Sequence, residues 1–212
     1  LECQFMGPSL KFLQDSVIAL TGADMQATVD GEPCNLWESL AVRAGQRLDL
    51  NFAVTGARAY IAFAGGISTE PWLTSRATFN AAGVGGMEGG ALKVGQQVPV
   101  ASAAAALGRR VKDAARPPIS SAREWRVEAV RGPNDDWVDD AGHQRFLASD
   151  WILSAKSDRM GFRLDGPDWT FNEKAYNKLP EHGSEPANIV DQGYPMGAIN
   201  IAGQTPIILL HD

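Results

Sequence analysis

The chain has 212 residues, of which 44% are apolar and 21% are charged, and its formal net charge at pH 7 is −6. This composition is typical of a globular protein with a substantial core, built as one large domain or two smaller lobes. The scattered Lys and Arg residues argue against a nucleic-acid partner, and the lack of an apolar run of about 18 residues or a signal-peptide pattern predicts a cytoplasmic protein without a membrane partner.

The first hundred residues carry the pattern of short β-strands separated by turns. The apolar run Val17–Leu20 predicts a buried strand, and Asp30-Gly31 is a strong hairpin signal. Residues Arg47–Phe52 alternate polar and apolar side chains, as a half-buried strand does, and the apolar run Ala59–Ala64 stops at a glycine pair. Many short strands with glycines at the breaks favour a barrel over a doubly wound α/β sheet.

The cysteines and histidines predict no metal or redox centre. Cys3 and Cys34 are far apart, with no CxxC pattern and no nearby histidine, so we interpret them as two reduced thiols. The three histidines, His143, His182 and His211, form none of the spacings typical of a metal site.

A change in composition predicts a boundary between two lobes. An alanine-rich stretch at Ala101–Ala106 is followed by the basic run Arg109–Lys112 and by Pro117-Pro118, which ends any helix that began before it. We therefore place the first lobe at residues 1–115 and the second at 116–212.

The second lobe is predicted to open with a strand at Glu124–Val130, where polar and apolar residues alternate. A short helical turn is expected around Phe146–Trp151, followed by a strand at Trp151–Ser154. The pairs Asp135-Asp136 and Asp139-Asp140 are interpreted as a solvated acidic loop.

Two candidate binding elements lie in the first lobe. Five glycines within Gly83–Gly90, Gly85 and Gly86 among them, let the backbone approach a ligand so that its amides stabilise negative charge, although a glycine-rich barrel corner explains them equally well. Arg76 is suited to clamp a carboxylate or carbamate, or to pair with Glu70 or Glu88 and hold the glycine loop.

Charged residues in the second lobe form another candidate. Along a strand, Arg159, Gly161 and Arg163 would share one face, and Asp158 would lie on the other. This arrangement predicts either a polar wall of a binding site or internal ion pairs at the end of a barrel.

A polar loop near the end of the chain is the last candidate. It carries an imidazole, an amide, a carboxylate and a phenol at His182, Asn188, Asp191 and Tyr194. Asn188 can both donate and accept hydrogen bonds, which suits a urea-like group, although such residues are also typical of ordinary turns.

Several segments resemble, in order and spacing, the carboxyltransferase family of urea carboxylase and urea amidolyase. That family, also called allophanate hydrolase subunit 2, includes the C subunit of 5-oxoprolinase and the kinase-inhibitor antagonist protein. The resemblance rests on Gly7–Phe12, Ala19–Asp24, Gly56–Tyr60, Gly65–Ile67, Ser75–Thr78 and Ser157–Pro167.

The loop at Glu185–Asp191 is similar to the urea-carboxylase branch, which has a His-Pro-Ser-Asn type loop there. This chain departs from the family at Gly90, where arginine is common, at Gln96, where aspartate is common, and at Ala187, where serine is usual. Family members also run longer at both ends, so we expect a segment of a longer polypeptide.

The resemblance implies a mainly β fold of two cyclophilin-like β-barrel lobes, incomplete at both chain ends. It implies transfer of a carboxyl group from N-carboxybiotin to urea or a related amide. Asn188 would orient the acceptor, Asp191 would orient it or handle a proton, and the glycine-loop amides would stabilise an oxyanion. Substrate binding is assigned to Arg76, Gly85, Gly86, Arg159, His182 and Tyr194.

The resemblance also implies partners. Biotin would be attached to a separate carrier domain or subunit, and ATP would be used by a biotin carboxylase. A sister carboxyltransferase half of the allophanate hydrolase subunit 1 type would complete the site. Two alternatives stay open: a subunit of an ATP-dependent 5-oxoprolinase, which uses no biotin, and a regulatory binding protein like the kinase-inhibitor antagonist.

Overall fold

A computed structural model of the chain describes residues 1–122, 124–189 and 193–210. The chain divides into two compact units, Leu1–Trp125 and Arg126–Asp212. The lobe boundary at residue 115 stays a prediction. None of the helices in the described residues has the length and apolar character that a bilayer span requires.

The first unit is built from antiparallel strands in two four-stranded sheets and a hairpin. One sheet has the order β1-β8-β3-β6, the other β2-β7-β4-β5, and β9 pairs with β10. The strands are β1 (Glu2–Gln4), β2 (Ser9–Lys11), β3 (Ser16–Asp24), β4 (Thr28–Val29), β5 (Glu32–Pro33), β6 (Ser39–Val42), β7 (Arg47–Asp49), β8 (Thr55–Phe63), β9 (Thr78–Phe79) and β10 (Val84–Gly85).

Alternating side chains on the long strands form the core of this unit. In β3, Ile18 and Leu20 are each 1% exposed, and in β8 Ile61 is 1% exposed, because every second residue points to the same face. Leu48 of β7 is fully buried in the same cluster. The register joins Leu20 to Ile61, so both sit at the centre of the sheet.

The second unit combines one four-stranded antiparallel sheet with short helices. Its sheet has the order β11-β12-β14-β13. The elements are α1 (Asp140–Ala148), β11 (Ile152–Leu153), β12 (Gly161–Asp165), α2 (Glu173–Tyr176), β13 (Ile199–Ala202) and β14 (Thr205–Leu209). Three short 3-10 helices cover Asp113–Ala115, in the first unit, and Asp135–Trp137 and Pro180–His182 in the second.

Aromatic rings make up much of the packing in the second unit. Phe146 stacks on Trp169 with ring centroids 5.0 Å apart and meets Trp151 at 5.5 Å. The Trp151 indole N–H donates to the carbonyl oxygen of Phe146, so this ring is also fixed at its polar end. Gly166 lies against the face of Trp151, where no side chain has room.

The mainly β fold predicted from the sequence is confirmed, as is the strand at Val17–Leu20. The strand predicted at Arg47–Phe52 is present but shorter, since it ends at Asp49. Cys3 and Cys34 are free thiols, as predicted. The strand predicted at Glu124–Val130 is wrong: the residues described there form no strand, and Val130 is 95% exposed. An alternating pattern becomes a strand only where a neighbouring strand completes its hydrogen bonds.

The helix near Phe146 also differs from its prediction. It begins earlier, at Asp140, and ends at Ala148, so it is longer than the predicted turn. Asp139 begins this helix by accepting a hydrogen bond from the backbone N–H of Gly142. The interpretation of Asp139 as part of a solvated loop is therefore wrong, because its carboxylate is a helix cap.

Candidate functional site

The β9–β10 hairpin brings three predicted residues together in the first unit. Thr78 pairs with Gly85, so Arg76, two residues before Thr78, lies at the same end of the hairpin as Gly85 and Gly86. The antiparallel register therefore places the main chain of Arg76 at the same end of the hairpin as these two glycines.

Arg76 is held by the main chain. Its Nε donates to the carbonyl oxygen of Thr69 at 2.9 Å. Among the described residues, no ion pair joins Arg76 to Glu70 or Glu88. Glu88 instead accepts a hydrogen bond from the Gln96 amide at 3.1 Å. The contact with Thr69 uses one of the five N–H groups of the guanidinium.

The glycines of the hairpin are required by its own packing. Gly85 has a φ of +73°, and a Cβ there would collide with the carbonyl oxygen of Ala77. Gly86 has a φ of +53°, and a Cβ there would collide with the Thr78 hydroxyl. Packing of the hairpin alone therefore requires glycine at both positions, and a ligand-binding role for their amides stays a prediction.

A cleft of about 650 Å³ lies in the second unit, on the open side of β12 and β14. Tyr194 lines it, together with the polar residues Asp158 and Arg163. Its apolar lining is Met160, Gly161, Pro195, Met196, Ile207, Leu209 and Leu210. Gly161 and Arg163 share this face, as the period-two pattern predicts, but Arg159 lies in the preceding turn and is not among the lining residues.

The turn before β12 is built by two polar side chains. Asp158 Oδ1 accepts from the backbone N–H of Met160 at 2.9 Å and of Gly161 at 3.2 Å. Ser157 Oγ accepts from the N–H of Arg163 at 2.9 Å. Asp158 therefore acts mainly on its own turn, as Asp side chains commonly do.

His182 and Asn188 belong to a second group in this unit, around the ring of Trp137. The imidazole of His182, at the end of a 3-10 helix, lies 5.7 Å from the ring of Trp137. The ammonium of Lys178 lies 5.6 Å from the centroid of the same ring and donates to the carbonyl oxygen of Asn188 at 2.8 Å. It also donates to the carbonyl oxygen of Glu185.

The start of α2 brings these lysines to Trp137. Asn172, which caps α2, donates from its backbone N–H to the carbonyl oxygen of Trp137 at 3.0 Å. Lys174, in the first turn, lies 5.9 Å from the Trp137 ring and pairs with Asp136. Both ammonium groups are within the distance at which cation–π attraction to an indole acts.

The predicted site residues thus fall into three groups. Arg76, Gly85 and Gly86 lie at the same end of the hairpin in the first unit. In the second unit, His182 lies against the ring of Trp137, Asn188 is joined to that ring through Lys178, and Tyr194 lines the cleft. Asp191 lies outside the described residues. Its role in orienting the acceptor or handling a proton stays a prediction.

The sequence interpretation missed Trp137, Lys174 and Lys178. The lysines are four residues apart, but Lys178 lies two residues beyond the end of α2, so helical spacing does not bring them together. Their shared partner Trp137 lies far away along the chain, so no local signal pointed to either lysine.

The clearest electrostatic effect in the second unit falls on Asp139. A hydrogen bond from the Thr170 hydroxyl at 2.6 Å, followed by one from the Gly142 N–H, lowers the pKa of this carboxyl below its ordinary value of 3.8. Within the described part of the chain, no group of three or more His, Cys, Asp or Glu side chains could hold a metal ion.

Comparison with known proteins gives matches that extend along the whole chain. A family model described as "carboxyltransferase domain, subdomain A and B" matches residues 1–212. Urea amidolyase from Saccharomyces cerevisiae is 32% identical over 219 residues, a match that covers 100% of this chain and 12% of that protein. The C subunit of 5-oxoprolinase from Escherichia coli is 33% identical over 201 residues, covering 93% of this chain and 62% of that protein.

A solved structure agrees with these relatives. The crystal structure of the Kluyveromyces lactis urea carboxylase matches with a TM-score of 0.81 and 28% sequence identity, over 99% of this chain and 19% of that one. The chain therefore spans only part of the length of each relative described.

Proposed function

This chain belongs to the carboxyltransferase domain family, subdomain A and B, and we propose that it is the carboxyltransferase part of a urea carboxylase-like, multi-component enzyme. It would move a carboxyl group from biotin to urea or a related amide. The likeness to urea amidolyase along the whole chain is the observation that carries this proposal. We also propose the cytoplasm as the location of the enzyme.

We propose that biotin binds in the cleft of the second unit. Apolar side chains such as Met160 and Ile207 would contact its ring system, and the Arg163 guanidinium and Tyr194 hydroxyl would donate to its ureido oxygen. When bound, biotin supplies the carboxyl group that is transferred. Arg163 and Tyr194 would hold the developing negative charge on that oxygen, which lowers the barrier to transfer.

The acceptor would be oriented by the Asn188 loop. Asn188 is exposed, and its carboxamide can donate to one part of a urea-like molecule and accept from another. His182 lies near the same loop and would add a further polar contact. Holding the acceptor nitrogen in line with the carboxyl group accounts for a large share of the catalysis expected of such a site.

In the first unit, Arg76 would bind a carboxylate or carbamate group, and the amides of Gly85 and Gly86 would stabilise an oxyanion. Arg159 would contribute to substrate binding from the turn before β12.

The partners would be a biotin carrier, a biotin carboxylase that uses ATP, and a sister carboxyltransferase half. The chain covers only 12% of urea amidolyase and 62% of the 5-oxoprolinase C subunit, which supports the proposal that further domains or subunits take part.

A second candidate is favoured by the likeness to the C subunit of 5-oxoprolinase. In that case the chain would belong to an ATP-dependent hydrolase complex that opens the 5-oxoproline ring without biotin. The two proposals differ in acceptor and in their need for biotin, so one assay separates them.

The test compares urea-dependent with 5-oxoproline-dependent ATP hydrolysis by the complete enzyme, with and without avidin. We expect urea dependence that avidin abolishes. Asn188→Ala should lower kcat/KM for urea by about tenfold to a hundredfold, since it removes the hydrogen bonds that orient the acceptor. Asn177→Ala is the matched control, because that amide bonds only to Glu173 of its own helix among the described contacts.

Turnover of 5-oxoproline that avidin does not affect would replace the carboxyltransferase proposal with the hydrolase. Silence with both substrates would favour a regulatory binding protein. Equal losses in the Asn188 and Asn177 variants would remove Asn188 from the acceptor site.

A further inference from the structure

The Lys178 side chain joins the Trp137 ring to the loop that carries Asn188. Its ammonium is 5.6 Å from the ring centroid and donates to the carbonyl oxygens of Glu185 and Asn188, the latter at 2.8 Å. The same loop is closed by the N–H of Asn188, which donates to the carbonyl oxygen of Glu185 at 3.0 Å. Both polar groups of the Asn188 backbone are therefore held while its side chain stays exposed.

These contacts are stronger than those of an ordinary surface lysine. Hydrogen bonds from a charged donor are shorter and about twice as strong as neutral ones, and the indole ring attracts the cation as well. Lys178 is half-buried, and its ammonium meets the ring in addition to the two loop carbonyls. A flexible side chain with several fixed partners acts as a brace between the elements that carry them.

We propose that Lys178 is a positioning residue for the acceptor: braced against Trp137, it fixes the main chain at Glu185 and Asn188 so that the Asn188 carboxamide meets the acceptor in one orientation. This role rests on the proposed function of Asn188. It assigns Lys178 no contact with the acceptor.

Lys174 provides a matched control for this role. Its ammonium lies 5.9 Å from the centroid of the same indole ring, but its hydrogen-bonding partner is the Asp136 carboxylate and not the loop. Replacing either lysine with methionine removes one cation from Trp137 and keeps the aliphatic chain. Only the Lys178 variant also releases the two loop carbonyls.

The first measurement is hydrogen–deuterium exchange of peptides covering residues 184–189 in the complete enzyme. We expect Lys178→Met to speed exchange of the Asn188 amide about tenfold, the value expected from losing a charged hydrogen bond, and Lys174→Met to leave it unchanged. Lys178→Arg should restore much of the protection, because a guanidinium can donate to two carbonyl oxygens at once.

The second measurement separates positioning from general damage. In Lys178→Met the KM for the acceptor should rise about tenfold while ATP hydrolysis in the absence of acceptor is unchanged, and Lys178→Arg should recover most of the loss. A general loss of folding would lower both activities together and would not be rescued by arginine.

Equal exchange in the Lys178 and Lys174 variants overturns the positioning role, whatever the substrate of the enzyme. An unchanged acceptor KM in Lys178→Met overturns it as well. A wild-type enzyme that turns over neither urea nor 5-oxoproline contradicts the proposed function instead. That result is seen before any variant is made, and it also removes the acceptor role of Lys178.

Discussion

Asp139 joins two parts of the second unit through one carboxylate oxygen. Its Oδ1 accepts from the Gly142 N–H at the start of α1 and from the Thr170 hydroxyl, each at 2.6 Å. The charged form is the better acceptor, so these bonds lower the pKa of the carboxyl. Protonation of this group and loosening of the second unit are therefore linked.

We predict a pH-dependent loss of stability in Asp139→Asn. Asparagine can still accept these bonds, but without charge, so the variant should unfold at lower urea concentration at pH 7. The contribution of the charge is complete above the ordinary pKa of 3.8 and is lost as pH falls through the lower folded-state value, so the two proteins should converge below 3.8. Urea unfolding followed by tryptophan fluorescence at several pH values measures this.

The neighbouring Asp140→Asn variant is the control for that experiment. Asp140 lies in the first turn of the same helix but is exposed, so its loss should change stability little at any pH. A gap between wild type and Asp139→Asn that stays constant with pH would contradict a charge-dependent role for the cap.

The glycines in and after the β9–β10 hairpin differ in how closely other backbone atoms approach them. Gly85 has a positive φ and lies against the carbonyl oxygen of Ala77, whereas Gly90 has open space around it. These two glycines of one run therefore differ in what they tolerate.

We expect Gly85→Ala to destabilise the hairpin by about 1 to 3 kcal/mol, through backbone strain and the clash with Ala77. Gly90→Ala should be close to neutral because nothing lies within 4 Å of its Cβ position. Limited proteolysis within residues 76–90 would compare the two. Similar cleavage of both variants would contradict a structural need for glycine at residue 85.

Residues adjacent in the sequence were enough to predict the β4–β5 hairpin. Asp30-Gly31 forms the two-residue turn between β4 and β5, with Val29 opposite Glu32, because turn chemistry depends on adjacent residues alone. Residues Glu124–Val130 carry an equally regular alternation and form no strand, because a strand also needs a partner that the local pattern does not specify.

The candidate site also contains residues that the local sequence predicts and residues that it does not. His182 and Asn188 were predicted because their side chains carry the chemistry within one short loop. Lys178 was missed because its importance comes from the ring of Trp137, which is brought near by the start of α2. Residues that support a site through tertiary contacts leave little trace in the sequence around it.

Across the whole molecule, each unit has its own kind of core. The first unit packs aliphatic side chains such as Leu48, Ile18 and Ile61 between its strands, and the second packs the aromatic rings of Phe146 and Trp169 against each other. Each core can therefore be weakened separately by a substitution within it.

We predict that Leu48→Ala lowers the free energy of unfolding of the first unit by about 2 to 5 kcal/mol, because it leaves a cavity at a fully buried position. Val94→Ala, at a fully exposed position, should change it by less than about 0.5 kcal/mol. Denaturant unfolding followed by circular dichroism measures both. A loss of similar size in the two variants would show that burial of Leu48 is not what stabilises the unit.

In this loop, the Lys178 ammonium donates to main-chain carbonyl oxygens, and every amino acid has such a group. Side chains between its two anchor points can therefore be exchanged without changing what the lysine holds. Pro186 and Ala187 stand there. Under the role proposed for Asn188, substitutions at these two positions would leave its main chain in place, so they are the positions to diversify in a library selected for new amide substrates.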